Sequence, residues 1–174
     1  MSIFDNMARE DVVLAFFPCV RFEDQFLLNL RGEAYQDRDR PIEEKLEKGM
    51  KLEKERSYFF EVITKLVLVA MEKGLRLIIE NPSTPQHYLT RYWSIKPKLI
   101  DSDRRVNGDH YKKPTQFWFI NCEPKNNFLF EPIEWVEQKS ISHFKGGNRT
   151  VMRSMIHPQY AERFIQQQIL EDGK

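Results

Sequence analysis

At 174 residues with a net charge of +1, the chain is long enough for one domain with a sizeable core, and it is not held to a partner by bulk charge. Its 41% hydrophobic and 30% charged residues suit a folded globular protein, while two cysteines far apart exclude a disulfide framework and a zinc-ligand spacing. The few cysteines and the lack of a leader-like start point to a reducing cytoplasm. No membrane span is expected, because the apolar stretch Val62 to Met71 is interrupted by Thr64 and Lys65, far short of roughly 20 residues.

Residues Met1 to Asp11 read as a polar lead-in, and Val12 to Phe17 as a first strand that Pro18 ends. Cys19 to Gln36 mixes aromatics and charges and reads as a loop or short helix above the sheet. Asp39-Arg40-Pro41 is a helix start. Ile42 to Lys73 follows as one long helix, or two broken near Gly49, and Gly74 stops it. Its first half is nearly all charge, which is the pattern of a solvated face. Its second half carries Phe59, Ile63, Leu66, Val67 and Ala70 at the spacing of a face packed on a sheet. Leu75 to Pro82 is a second unbroken apolar run. Such runs, lacking polar alternation, suit strands buried on both faces.

A polar loop with His87 precedes a short amphipathic helix, Tyr88 to Trp93. Lys98 to Asp101 is a candidate strand, and Asp103 to Lys113 a charged loop. Gln116 to Cys122 is a strong strand by its aromatic and β-branched content. Phe128 to Val136 reads as extended, and residues 139–150 as a polar loop that could be mobile. Pro158 opens a terminal helix with Tyr160, Ala161, Phe164, Ile165 and Ile169 as its apolar positions. The fold class expected is therefore α/β: parallel strands joined by a crossover helix, then further strands and a carboxyl-terminal helix, in a single domain over residues 1–174. A strand–helix–strand crossover is right-handed in about 98% of cases, so the first two strand ends point the same way. Ligands of such sheets bind off those ends.

Cys19 and Glu80 stand at those two ends. A cysteine after an apolar strand is usually an inert core residue. Glu is almost never buried without a partner or a task. Glu80 can equally cap local backbone or pair with Arg91 or Lys113, and the Arg104-Arg105 loop can be a solvated turn. The four histidines are scattered, and none stands at a motif-like distance from Cys19, which disfavours a cysteine hydrolase or a metal protein.

The order apolar strand–Pro18-Cys19, helix, apolar strand–Glu80-Asn81-Pro82 resembles the catalytic half of the DNA (cytosine-5) methyltransferases, and the phage-type methylases most closely. Lys113-Pro114-Thr115-Gln116-Phe117-Trp118 and Ile156-His157-Pro158-Gln159-Tyr160-Ala161 extend the resemblance to the later part of the chain. It implies a partial Rossmann-like methyltransferase sheet. It also implies that the Cys19 thiolate attacks C6 of a flipped cytosine, with Glu80 holding N3. Pro18, Asn81 and Pro82 would shape the pocket, and Arg104, Arg105, Lys113 and Thr115 would lie near the phosphate backbone. The partner implied is double-stranded DNA, and the methyl donor S-adenosylmethionine.

The sequence departs from that family in one large respect. None of the seven glycines forms a G-x-G after a strand, and nothing before Val12 supplies a donor-binding half. The chain is thus expected to be a truncated or split methyltransferase, with a second chain supplying the missing half across an exposed Val12–Phe17 edge, or to self-associate. The alternative is a catalytically inactive DNA- or protein-binding module. Glu23 and Asp24 are expected to raise the Cys19 pKa, opposing activation.

Overall fold

The computed structural model describes residues 7–17, 19–139 and 154–170. Four strands, β1 (Val12–Phe16), β2 (Arg76–Pro82), β3 (Leu99–Asp101) and β4 (Thr115–Ile120), form one sheet in the order β1-β2-β4-β3. β1 and β2 run parallel, with Val12 opposite Arg76 and Phe16 opposite Glu80. β4 is antiparallel to both β2 and β3. The expected parallel pair and its crossover are therefore present, but the sheet as a whole is mixed.

The crossover is α2 (Ile42–Lys73), a single 32-residue helix. Gly49 does not break it. The glycine is buried where the helix crosses α1 (Asp24–Leu30), and a Cβ there would stand 3.4 Å from the Leu30 carbonyl oxygen. Close approach of two backbones is what that position requires. Gly74 ends the helix in the left-handed region at φ 65°, and its N–H and that of Leu75 turn back to the Met71 and Ala70 carbonyls.

Alternation along β2 and β4 splits the core in two. Leu77, Ile79, Trp118 and Ile120 face α2, where they meet Ile63, Val67 and Ala70. Ile78, Phe117 and Phe119 face the other way, onto Tyr160 and Phe164 of α4 (Pro158–Gln168). The sheet is thus the middle of three layers, and β2, with six of its seven residues buried, is its central strand. β1 has the composition of a central strand but lies at an edge. Its residues are only half-buried, and Phe16 is 54% exposed.

The remaining elements frame the carboxyl ends of β1 and β2. Cys19–Arg21 is a single 3-10 turn, and α3 (Tyr88–Tyr92) follows the loop after β2. Residues 123–139, of which Phe128 to Val136 are expected to be extended, join no ladder. They run past α4, with Lys125 and Asn127 donating backbone N–H groups to the Gln168 and Gln167 carbonyls. Of the 139–150 loop, only Lys139 lies within the described residues. No helix among the described residues is long and apolar enough to cross a membrane.

Candidate functional site

Parallel pairing places both strand ends on one rim, as their sequences require. The Cys19 carbonyl accepts from the Phe22 and Glu23 N–H groups at 2.8 and 3.2 Å, which curls the chain back over the sheet directly after β1. Asp24 then ties this turn to the loop after β2. Its Oδ1 accepts from Thr84 Oγ1 at 2.6 Å and from the Gln86 N–H at 2.9 Å, while the Phe22 carbonyl accepts the Tyr88 N–H at 2.7 Å. Two segments some sixty residues apart are thereby fixed side by side.

Burial pushes the Cys19 thiol above its ordinary pKa. Glu23 and Glu80 push in the same direction, and Lys113 opposes them. Glu80 and Lys113 are thus both near enough to Cys19 to act on its charge. Asp24, expected to raise the thiol as well, is engaged by Thr84 and Gln86 instead.

Glu80 is 6% exposed. Because side chains alternate along β2, its carboxylate falls on the α4 face, in a cavity of about 40 Å³ lined by Leu14, Phe16, Phe117, Tyr160 and Arg104 among others. Lys113 Nζ stands 3.8 Å from Oε1, an ion pair too long to be a hydrogen bond, and Oε1 has no hydrogen-bond partner. A buried carboxylate oxygen that is neutralised but not hydrogen-bonded is poised for a donor from elsewhere.

Asn81 points to the opposite face and is fully buried. Its Nδ2 donates to the Glu80 carbonyl at 2.6 Å, and its Oδ1 meets His87 Nε2 at 3.3 Å. The Pro82 carbonyl accepts from Gln116 Nε2 at 2.8 Å. Thr115 is buried, with Oγ1 donating to the Lys113 carbonyl at 2.8 Å, so it shapes the Lys113 turn. Pro18 lies outside the described residues.

The two arginines part company. Arg105 is partly exposed and forks onto the Asp103 carboxylate, with Nε to Oδ1 at 2.8 Å and Nη2 to Oδ2 at 2.6 Å. Arg104 is 1% exposed, ion-paired to the equally buried Asp109, and its guanidinium lies 4.4 Å from the Tyr160 ring centre. It belongs to the interior beside Glu80, not to a surface that meets a phosphate. Tyr160 donates its hydroxyl to Asp101 Oδ2 at 3.1 Å, and burial pushes its pKa up.

Sequence reasoning passed over His87, Thr90, Gln116 and the Asp101–Tyr160 pair. The only local signal was the i,i+3 spacing of His87 and Thr90. The partners Asn81 and Gln116 come from β2 and β4, and only the sheet register brings them together. Among the described residues no group of His, Cys, Asp and Glu side chains is placed to hold a metal ion. Comparison with protein-family models, with curated proteins and with solved structures finds no match to this chain.

Proposed function

We propose that this chain is the catalytic half of a DNA (cytosine-5) methyltransferase-like protein acting on double-stranded DNA. The observation that carries the reading is the coincidence, on one strand-end rim, of a thiol and a buried carboxylate oxygen that lacks a hydrogen-bond partner. Both are required by the chemistry that the sequence resemblance implies. The Cys19 thiolate forms a bond to C6 of a cytosine turned out of the duplex. The π electrons of C5=C6 shift through C4 to N3, which takes its proton from the Glu80 carboxyl group, leaving a carboxylate that Lys113 faces. The resulting enamine is nucleophilic at C5. Once C5 has reacted, water takes the C5 proton and N3 returns its proton to Glu80, which re-forms C5=C6 and expels the Cys19 thiolate. Lys113, 3.8 Å from Glu80, keeps negative charge tolerable in this cavity.

S-adenosylmethionine is the donor that the reading implies, but the described residues do not fit it. No glycine-rich turn follows β1 or β2, and the described glycines with positive φ are Gly32, Gly74 and Gly108, none at the carboxyl end of either strand. The open edge of β1, with the apolar make-up of an interior strand and no charge or proline along it, is where a second polypeptide carrying the donor-binding half would complete a Rossmann-like sheet.

The reading is testable without any donor. Attack at C6 makes C5 take a proton from water, so duplex DNA tritiated at cytosine C5 releases tritium. Release by the wild-type chain, absent in Cys19→Ser and strongly reduced in Glu80→Gln, is the expected result. No release at pH 7 to 9 would overturn it. A second reading, a methyltransferase-derived binding module without activity, is favoured by one observation: the burial and the neighbouring Glu23 that hold the Cys19 thiol protonated.

A further inference from the structure

His87 is fully buried between the rings of Phe22 and Trp118, and the chemistry above leaves it without a role. Its hydrogen bonds decide which nitrogen carries the proton. Asn81 Nδ2 donates to the Glu80 carbonyl, so Asn81 presents Oδ1, an acceptor, to His87 Nε2 at 3.3 Å. Nε2 must therefore bear hydrogen. On the other side Thr90 Oγ1 stands 3.3 Å from Nδ1, but its one hydrogen goes to Gln116 Oε1 at 2.8 Å, so this is a contact and not a hydrogen bond to the unprotonated Nδ1. Gln116 Nε2 donates in turn to the Pro82 carbonyl at 2.8 Å. Two separate chains thus grip β2, His87–Asn81 at the Glu80 carbonyl and Thr90–Gln116 at the Pro82 carbonyl, on either side of Asn81.

From the Asn81 contact we infer that His87 is a positioning residue for Glu80: by donating from Nε2 to Asn81 Oδ1 it fixes the amide that holds the Glu80 carbonyl, and with it the direction of the Glu80 side chain into its cavity. The inference deepens the proposed function and rests on Glu80 being the residue that holds the base. Asn81 has no other hydrogen bond recorded at Oδ1, so removing the imidazole donor frees the amide to turn.

The test compares His87→Gln, whose side-chain amide can keep a donor near the Nε2 position, with His87→Leu, which cannot, and with Thr90→Val, which breaks the Gln116 chain and leaves the Nε2–Asn81 bond in place. The first readout is tritium release from C5-labelled duplex DNA. His87→Leu is expected to lower kcat about tenfold, the worth of one buried hydrogen bond, with KM for DNA within about twofold. His87→Gln is expected to recover most of that loss. The second readout needs no chemistry: the Asn81 side-chain amide and the backbone amides of Glu80 and Ser83 in a proton–nitrogen NMR spectrum. They should move in His87→Leu and stay near their wild-type positions in His87→Gln, and the Asn81 side-chain signal should also stay in Thr90→Val. A wild-type Asn81 signal in His87→Leu, or equal damage in the Gln and Leu variants, overturns the inference. If the wild-type chain releases no tritium, the proposed function fails, and the NMR comparison still decides the role of His87. If His87→Leu does not fold, Thr90→Val and His87→Gln decide it: an Asn81 signal displaced in Thr90→Val as much as in His87→Gln, or displaced in His87→Gln at all, would contradict it.

Discussion

His87 gives the fold a definite dependence on pH. Burial lowers its pKa from 6.5 to about 4, partly offset by Asp24. The unfolded chain therefore binds a proton in this range that the folded chain refuses, and stability falls as pH drops from the unfolded pKa toward the folded one. Stability is fully present above pH 6.5. At pH 5 the loss is about 2 kcal/mol, and it approaches about 3 kcal/mol below the folded pKa, at roughly 1.4 kcal/mol per pKa unit. Replacement by Gln removes the titration while keeping a donor for Asn81. Urea unfolding of the wild-type chain and His87→Gln, from pH 8 to pH 4.5, isolates the difference, because the other titrating groups are common to both. The wild type should lose stability relative to the variant as pH falls through this window. Stability curves that stay parallel would refute the reasoning, and would mean that His87 is charged, or solvated, in the folded state.

Other consequences are as direct. Arg104→Met should destabilise the chain by about 3–5 kcal/mol in urea, since it strands the buried Asp109, and Arg104→Met with Asp109→Asn should recover much of it. Ile63→Ala, at a fully buried position between α2 and the sheet, should cost about 2–5 kcal/mol by the same assay. Alkylation of Cys19, followed by peptide mass spectrometry, should be slower at pH 7.5 than that of an unfolded thiol, keep rising above pH 9, and speed up in Glu23→Gln, because that charge helps to hold the thiol protonated.

Much of this architecture is written in local pattern. The run Val12 to Phe17, the helix opened by Pro41 and stopped by Gly74, and the aromatic strand around Trp118 follow from composition, capping and periodicity, and the parallel pairing follows from the crossover. What could not be read is what depends on partners distant in sequence. The antiparallel placement of β4 between β2 and β3 has no local mark. Gly49 looks like a helix break until Leu30 is seen against it. Arg104 and Arg105 are neighbours of identical type, yet one is buried on Asp109 and the other half in solvent, because the chain turns between them. At the site, Cys19, Glu80 and Lys113 were legible as candidates from strand ends and from the resemblance. The Asn81–His87 and Thr90–Gln116 chains were not, since they are assembled from β2, the following loop, α3 and β4.

The central claim is that the Cys19 thiol and Glu80 together handle a cytosine ring. It is met most directly by intact-mass spectrometry of the chain incubated at pH 8.5 with duplex DNA carrying 2-pyrimidinone, electrophilic at C6, in place of cytosine. The account predicts a covalent protein–DNA adduct that maps to Cys19 and is lost in Cys19→Ser. An adduct that persists in Cys19→Ser, or none with the wild-type chain, would contradict it.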